Sequence, residues 1–287
     1  MSIAGEEMGE LNIIGIGPGE AAYLTKEAEN ALAEADVLCG YTLYVDLVLK
    51  LFPGKETYTT PMTKEEERCR WAIDQAAAGR KVALLSSGDA GVYGMAGLAL
   101  QMVSERPDIE IASECPHIET VSECPDIEKA VEHGDTQVAS ERRDIRVRVI
   151  PGITAAISGA ALLGAPLMND FCVLSLSDRL TPWEKIGRRL RAAAAGDLVM
   201  CLYNPASKGR PDHLRRAVQI LLEILPPETV CGYVRNIGRS GTKSGVMTLN
   251  ELKDFRADMF TTVFIGNSGT VNVNGKMITK RGYGDKP

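Results

Sequence analysis

Short apolar segments that run directly into glycine-rich or polar loops constrain the fold of this chain more than any other feature. The segment "KVALLSS", which begins at Lys81, is nearly all apolar over the length of one strand. Such a run is typical of a parallel strand that is buried on both faces. Helix-like segments, among them "WEKIGRRLRAAAAG" and "DHLRRAVQILLEIL", stand between the apolar segments. The alternation predicts an α/β fold throughout.

The length of the chain indicates two domains. Its 287 residues exceed the usual size of one domain, and 45% of them are apolar, which is enough for two hydrophobic cores. The small, apolar segment "ITAAISGAALLGAP" is expected to pack as a helix near the junction. We predict an N-terminal α/β domain at 11–164 and a C-terminal α/β domain at 165–287.

Composition also indicates the cellular compartment of the protein. No apolar run reaches the length of a membrane span, and the acidic start "MSIAGEEMGE" does not resemble a secretory signal. The seven cysteines are scattered without a C-x-x-C pair, which favours reduced thiols. We therefore expect a cytoplasmic protein.

A nonapeptide repeat interrupts the N-terminal half. In nines from Ser104, the sequence gives "SERPDIEIA", "SECPHIETV", "SECPDIEKA", "VEHGDTQVA" and "SERRDIRVR". We interpret the repeat as a tandem expansion of one helix-to-strand connection. The last copy, which continues into "VIPG", is expected to supply the strand, while the insertion at about 104–139 loops out with at most weak hairpin character.

The repeat accounts for the acidity of the chain. Its first four copies hold ten acidic and two basic residues, a net charge of −8, whereas the whole chain carries −6. The remainder is therefore slightly basic, at about +2. The side chains of Cys115, His117, Cys124 and His133 fall in the repeat and leave a zinc site open as an alternative. Their spacing is the repeat period itself, so we predict no metal site.

Five loops are expected to carry function, because ligands of α/β sheets bind beyond the carboxyl ends of the strands. They are 15–19, 86–94, 151–155, 203–210 and 235–241. The first, in "LNIIGIGPGEAAYLT", lacks the third glycine of a dinucleotide fingerprint and the Gly-Lys pair of a P-loop. Pro18 removes a backbone N–H, and Glu20 adds a negative charge near the helix start. The loop thus allows a close approach to its backbone without a phosphate; a plain strand-to-helix turn remains the alternative.

The other loops differ in charge. In "SSGDAGVYG", Asp89 could accept hydrogen bonds from a ribose or an amine, or cap the next helix. The loop "YNPASKGR" carries Lys208 and Arg210, and "RNIGRSGTKSG" carries Arg235 and Arg239. Because arginine binds carboxylates in a bidentate manner, these loops favour an acidic small molecule over nucleic acid. For "YNPASKGR", a solvated helix start is the alternative.

The sequence contains no evident nucleophilic triad. His213 is the only histidine outside the repeat, and we expect it to be structural or exposed. Hydrolysis is therefore not predicted, which leaves a reaction that depends on positioning two bound partners.

Five segments that occur in a fixed order resemble one known family. They are "GIGPG", "SSGDAGVYGMAG", "VIPGITAAISGAA", "YNPASKGR" and "GNSGTVNVNGKMITKRGY". Together they resemble the tetrapyrrole (corrin and sirohaem) methyltransferases, over nearly the whole chain except the repeat. The second and fourth are most similar to the branch that methylates C17 of precorrin-3B or cobalt-factor III and contracts the ring during cobalamin synthesis.

This resemblance implies an architecture and a set of binding residues. It implies two α/β domains with a cofactor cleft between them, S-adenosyl-L-methionine as cofactor, a tetrapyrrole substrate and a homodimer, with no nucleic acid and no membrane as partner. The cofactor contacts that it implies are Pro18, Ser87, Gly88, Asp89, Val92, Thr154 and Ala155, together with the main chain at Leu202, Tyr203, Asn236 and Ile237.

The resemblance also implies roles in the chemistry. Contraction of the ring would use a proton donor or acceptor, for which Asp89, Asn204 and Lys208 are the candidates. The acetate and propionate arms of the substrate would be held by Arg210, Arg235 and Arg239.

Several alternatives stay open. Another corrin or sirohaem-type methyltransferase would share the motifs, and a tetrapyrrole carrier would bind pigment without catalysis. Diphthine synthases and rRNA methyltransferases share the fold, but "YNPASKGR" speaks against them. A nicotinamide-dependent oxidoreductase would need the missing third glycine.

Overall fold

The chain forms two compact units. A computed structural model describes residues 8–112 and 143–283. Unit 1 is formed by Met1–Gly15, Lys26–Ser86 and Gly94–Pro151, and unit 2 by Ile16–Thr25, Ser87–Tyr93 and Gly152–Pro287. The α/β class predicted from the sequence is confirmed. No helix within the described residues is long and apolar enough to cross a membrane.

Unit 1 is built on a six-stranded sheet whose neighbouring strands all pair in parallel. Its order is β3-β2-β4-β1-β6-β5. The strands are β1 (Gly9–Gly15), β2 (Val37–Tyr41), β3 (Glu56–Thr60), β4 (Lys81–Ser86), β5 (Ile109–Ile111) and β6 (Arg143–Ile150). The central strands β1 and β4 are buried over nearly their whole length, as their apolar sequences predict.

Four helices belong to the described part of unit 1. They are α1 (Lys26–Glu34), α2 (Thr42–Leu49), α3 (Glu65–Ala77) and α4 (Ala96–Ser104). The helix-like segments "LTKEAENALAEA" and "ERCRWAIDQAAAG" and the end of "GDAGVYGMAGLALQMV" predict α1, α3 and α4, whereas no sequence pattern predicts α2 or β3. The strand β3, "ETYTT", lies at the edge of the sheet and is mostly exposed, so it lacks the apolar run by which the other strands were recognised.

The first and last copies of the repeat are neighbours in this sheet. The first copy contributes β5 and the last contributes β6, which pair in parallel with Ile111 opposite Ile145. The expectation that only the last copy would supply a strand was therefore wrong, since three residues of "DIEIA" extend the sheet by one edge strand. The three copies between them, with Cys115, His117, Cys124 and His133, lie outside the described residues.

Unit 2 is built on a mixed five-stranded sheet and a small three-stranded sheet. The larger has the order β11-β10-β12-β9-β8, in which only the pair of β8 and β9 is parallel. Its strands are β8 (Phe171–Ser175), β9 (Val199–Tyr203), β10 (Val230–Arg235), β11 (Lys243–Thr248) and β12 (Thr261–Ile265). The smaller sheet consists of β7 (Gly164–Ala165), β13 (Thr270–Val273) and β14 (Lys276–Thr279).

Helices cover the larger sheet of unit 2. They are α5 (Ala155–Leu163), α6 (Trp183–Ala195), α7 (His213–Leu221) and α8 (Leu249–Leu252). The helix α6 buries Ile186, Leu190 and Ala194 at helical spacing, as its amphipathic sequence predicts. On another part of the unit, α5 places Gly159 so close to the Phe264 ring that an added Cβ would lie 3.0 Å from it. This small residue therefore allows α5 to pack tightly against β12.

Two loops that leave the sheet of unit 1 belong to unit 2. Residues 16–25 follow β1 and residues 87–93 follow β4, and both are assigned to unit 2 by their contacts. The compact units divide the later chain between Pro151 and Gly152. The boundary predicted from the sequence, between 164 and 165, stays a prediction of domain organisation.

Candidate functional site

The loops that follow β1 and β4 are joined to each other within unit 2. The backbone N–H of Gly17 donates to the carbonyl oxygen of Gly88 over 3.0 Å, and the N–H of Gly88 donates back to Gly17 over 2.8 Å. Both glycines have a φ of 67°, in the left-handed region that other residues rarely adopt. The two glycine motifs therefore form one structure.

The carboxylate of Asp89 connects this structure to the start of α5. Its Oδ1 accepts the N–H of Gly91 over 2.8 Å, and its Oδ2 accepts the N–H of Gly152 over 2.9 Å. Hydrogen bonds to a charged acceptor are among the stronger ones in proteins. Asp89 thus holds the loop 87–93 against the segment before α5.

A small space lies between the backbone of Gly88 and the first residues of α5. A Cβ added at Gly88 would lie 3.5 Å from Thr154 Cα and 3.8 Å from the backbone nitrogen of Ala155. Ala155 is the first residue of α5, where backbone N–H groups have no partner inside the helix. The absence of a side chain at Gly88 therefore leaves a cradle in front of these groups.

The polar groups around this cradle are uncharged N–H and hydroxyl groups. They can donate to the acceptor atoms of a ligand, such as those of the carboxylate, ribose and adenine of S-adenosylmethionine. The cradle thus fits the cofactor that the resemblance implies. Gly88, Thr154 and Ala155, all expected to bind it, are brought together here, and Ser87 and Val92 are half-buried in the same loop.

The side chain of Tyr203 reaches the same helix start. Its Oη lies 2.5 Å from Thr154 Oγ1 and 2.7 Å from the backbone nitrogen of Ala156. Burial raises the pKa of this phenol above its ordinary value. Sequence reasoning placed the main chain near Tyr203 at the cofactor and did not anticipate this role of the side chain.

Tyr93 is a residue of this site that sequence reasoning missed. Its ring centroid lies 5.6 Å from that of Tyr203, and its Oη donates to the carbonyl oxygen of Val173 over 3.0 Å. It has a φ of 55° and remains 56% exposed. A bulky residue in this conformation stores strain that the surroundings must compensate. The only signal in the sequence was its place between the glycines of "GVYG".

Three of the residues expected at the cofactor have buried side chains. Pro18, Leu202 and Ile237 are buried, and the latter two belong to the hydrophobic cores of unit 2. Any contact that they make with a ligand would use the main chain, as sequence reasoning assumed for Leu202 and Ile237.

Two asparagines directly follow strands of the larger sheet in the same unusual conformation. Asn204 follows β9 with a φ of 54°, and Asn236 follows β10 with a φ of 55°. Asparagine adopts this region more readily than most residues. The Nδ2 of Asn204 donates to Ser175 Oγ over 3.0 Å, so this side chain joins the ends of β8 and β9. Lys208 is exposed.

Arg210 belongs to a network that crosses two loops. Its Nη1 donates to Ser177 Oγ over 2.6 Å and lies 3.6 Å from Asp178 Oδ1. The Oδ2 of Asp178 lies 3.0 Å from Nε2 of His213, which is buried, as the structural alternative for His213 predicts. The imidazole of His213 beside this carboxylate holds the pKa of Asp178 below its ordinary value.

The other two candidate arginines also contact their own chain. Arg235 donates to the carbonyl oxygen of Arg256 over 2.7 Å and lies 3.3 Å from a carboxylate oxygen of Asp258. Arg239 donates to the carbonyl oxygen of Pro18 over 3.1 Å, and its guanidinium lies 5.0 Å from the Phe260 ring centroid. These contacts show that both side chains brace loops of unit 2, and their roles towards substrate stay predictions.

The chain is matched by a known family and by proteins of known name. The family of tetrapyrrole (corrin/porphyrin) methylases matches residues 10–121 and 132–253. A probable cobalt-factor III C(17)-methyltransferase of Salmonella typhimurium is 42% identical over 95% of this chain and 99% of its own length. A precorrin-3B C(17)-methyltransferase of a Sinorhizobium species is 36% identical over 91% of this chain and 90% of its own length.

A solved structure supports the same relationship. The crystal structure of the methyltransferase CobJ is 33% identical, with a TM-score of 0.76, and the match covers 95% of this chain and all of that one. The similarity therefore extends over both units and both parts of the chain that carry the site.

Proposed function

Because the chain belongs to the tetrapyrrole (corrin/porphyrin) methylase family, we propose that it methylates C17 of a precorrin-3B or cobalt-factor III tetrapyrrole and contracts the ring of that substrate. The protein is a methyltransferase that uses S-adenosylmethionine, as the members of this family do. The observation that carries the choice of substrate is the 42% identity with a probable cobalt-factor III C(17)-methyltransferase over nearly the full length of both chains.

The geometry of the candidate site supports this chemistry. When bound, S-adenosylmethionine supplies an electrophilic methyl group on a sulfonium, so a ring carbon can attack it without a strong base. The protein must then orient two molecules and exclude water. The backbone cradle at Gly88 and the start of α5 suits that task, because it offers fixed, uncharged donors rather than a nucleophile.

The assignments of the polar residues follow from their contacts. We assign Asp89 first to holding the loop 87–93, since both of its carboxylate oxygens accept backbone N–H groups. Asn204 and Lys208 remain the candidates for proton transfer during contraction, and Lys208 is exposed. Arg210, Arg235 and Arg239 remain the candidates for binding the carboxylate arms of the substrate, in addition to bracing their loops.

The proposal extends to assembly and compartment. We propose a homodimer, which the family resemblance implies, and sedimentation equilibrium would test it. We propose a cytoplasmic location because five cysteines of the described residues are free thiols, which is usual in a reducing compartment.

Product mass and spectrum test the function directly. The purified protein is incubated with S-adenosylmethionine and a trimethylated tetrapyrrole, with and without cobalt. The expected result is a gain of one methyl group together with the spectral change of a contracted ring. A protein that binds cofactor but adds no methyl group to this substrate would move the proposal to another tetrapyrrole, and a protein that binds pigment without cofactor would overturn it.

A further inference from the structure

The start of α5 is capped by a side chain from a different element. Thr154 is the residue that precedes the first turn, but its side chain makes no capping hydrogen bond. The backbone N–H of Ala156 donates instead to Tyr203 Oη, at the end of β9. In most helices the preceding side chain accepts such an N–H. Here the phenol has replaced it, which leaves the Thr154 hydroxyl for another use.

The direction of the second hydrogen bond follows from acidity. Thr154 Oγ1 and Tyr203 Oη are 2.5 Å apart, and either could donate. A phenol is far more acidic than an aliphatic hydroxyl and is the better donor. Since Tyr203 Oη already accepts the N–H of Ala156, its own proton is best placed on Thr154 Oγ1. The proton of the Thr154 hydroxyl then points to a further acceptor.

That further acceptor belongs to the cradle at Gly88. A Cβ added at Gly88 would lie 3.9 Å from Thr154 Oγ1, so the hydroxyl borders the space that the missing side chain leaves open. Among residues 8–112 and 143–283, Tyr203 Oη is the only polar partner of this hydroxyl oxygen. An acceptor atom of a bound ligand can therefore complete the chain of hydrogen bonds.

Tyr203 is itself held in place by its surroundings. The ring of Tyr93 packs against it, and Tyr93 is fixed in turn by its hydrogen bond to Val173. Burial raises the pKa of Tyr203, so the phenol keeps its proton in neutral solution. The donor is therefore both fixed and protonated.

We propose that Tyr203 is a positioning residue of the cofactor site: its phenol caps α5 and turns the Thr154 hydroxyl towards the cradle at Gly88, where that hydroxyl donates to an acceptor atom of the cofactor. The inference rests on the proposed function, because it takes S-adenosylmethionine as the ligand of the cradle. It goes further because it assigns a role to the Tyr203 hydroxyl, which acts on the cofactor through Thr154.

Binding of S-adenosylhomocysteine, measured by calorimetry well below the Tm, tests this chain of hydrogen bonds. We expect Tyr203→Phe and Thr154→Val each to weaken binding about 5- to 30-fold, the effect of losing a hydrogen bond and leaving its partner unsatisfied. Thr154→Ser keeps the hydroxyl and is expected to stay within about threefold of the wild type. The double variant Tyr203→Phe/Thr154→Val is expected to bind no more weakly than the weaker-binding single variant, because both changes break the same chain of hydrogen bonds.

A control variant separates positioning from stability. Thr248→Ala removes the capping box of α8, in which Thr248 and Glu251 bond each other, and it lowers Tm without touching the cradle. It is expected to leave the Kd unchanged, so a loss of Tm alone does not explain the Tyr203 effect. In turnover, Tyr203→Phe is expected to raise the KM for S-adenosylmethionine with little change in kcat.

Two outcomes overturn the inference, and only one of them also overturns the cofactor assignment. If the wild type binds S-adenosylhomocysteine and Tyr203→Phe binds it within twofold, or if the two single effects multiply in the double variant, the positioning role is wrong while the proposed function stands. If the wild type does not bind S-adenosylhomocysteine at all, the cofactor assignment fails and the inference fails with it.

Discussion

The glycine-rich loops of unit 2 and its arginine-bearing loops differ in what their polar groups contact. The loop 87–93 and the segment before α5 leave backbone and hydroxyl groups facing an open cradle beside Gly88. The loops after β9 and β10 instead turn Arg210, Arg235 and Arg239 onto carbonyl, hydroxyl and carboxylate groups of their own chain. The basic side chains that are most conspicuous in the sequence therefore brace the structure, while the loop that holds Gly88 and Asp89 is the one that we propose for the cofactor.

The largest effect is expected from adding one methyl group to the cradle. Gly88→Ala places a Cβ in front of the first residues of α5 and strains a residue whose φ is 67°. We expect binding of S-adenosylhomocysteine to weaken at least about 30-fold, since one misplaced group close to a ligand can cost two orders of magnitude.

A matched glycine separates strain from obstruction in that experiment. Gly54 has a φ of 81° and open space around it, so Gly54→Ala carries similar strain without reaching any neighbour. Its expected effect is a loss of about 1 kcal/mol in the free energy of unfolding, with an unchanged Kd. Equal Kd values for the two variants would mean that the cradle is not the binding surface.

The next largest effect is expected at Asp89. Asp89→Asn keeps the size of the side chain, but its Nδ2 cannot accept a backbone N–H, so one of the bonds to Gly91 and Gly152 is lost. We expect S-adenosylhomocysteine to bind about tenfold more weakly, because a charge-assisted bond contributes about 1.5–3 kcal/mol. An unchanged Kd with a collapse in kcat would instead identify Asp89 as an acid or base in the reaction.

A smaller effect, on stability rather than on cofactor binding, is expected at Arg235. Arg235→Gln removes contacts with the carbonyl oxygen of Arg256 and the carboxylate of Asp258, so we expect a loss of about 1–2 kcal/mol in the free energy of unfolding. Denaturant unfolding measures this loss, and Lys208→Gln, on an exposed side chain, serves as the comparison. A raised KM for the tetrapyrrole with full stability would show that Arg235 serves the substrate instead.

The smallest effect is expected from removing the carboxylate of Asp178, which changes how stability depends on pH. The imidazole of His213 beside it lowers the pKa of this carboxylate in the folded protein. The stability that this carboxylate contributes is therefore present above the ordinary aspartate pKa and is lost as pH falls through the lowered value. Between pH 6 and pH 3 we expect the Tm of Asp178→Asn to fall less steeply than that of the wild type, by a small margin because the carboxylate is partly exposed.

Asp46→Asn, a change at an exposed carboxylate on α2, is the control for that measurement. Its acid profile is expected to follow the wild type. Parallel profiles for all three proteins would show that the link between Asp178 and His213 contributes nothing to stability.

The sequence predicted most of the fold because its strands are buried. The short apolar segment "KVALLSS" contains β4, and "WEKIGRRLRAAAAG" contains α6 in full. The strands that were missed are short or exposed, as in β3 and β11, and lack an apolar run. Local pattern carries little information about an edge strand, because a strand with only one neighbour buries less of its surface and can be largely polar.

The candidate site was predictable only in part. The resemblance brought forward Gly88, Thr154 and Ala155, which the structure places together. It could not show that Tyr93 adopts a left-handed conformation, or that Tyr203 Oη reaches Ala156. Both facts depend on the packing of segments more than 40 residues apart, and nothing in the local sequence encodes that distance.

The pairing of β5 with β6 has a consequence for how the gene can change. The two strands come from the first and last copies of the repeat, and the sixth residue of each copy, Ile109 and Ile145, is buried. Gain or loss of whole copies between them leaves both strands with their own sequence. We therefore expect alleles of this gene to differ in length by multiples of 27 nucleotides at this point, with the reading frame and the sheet both preserved.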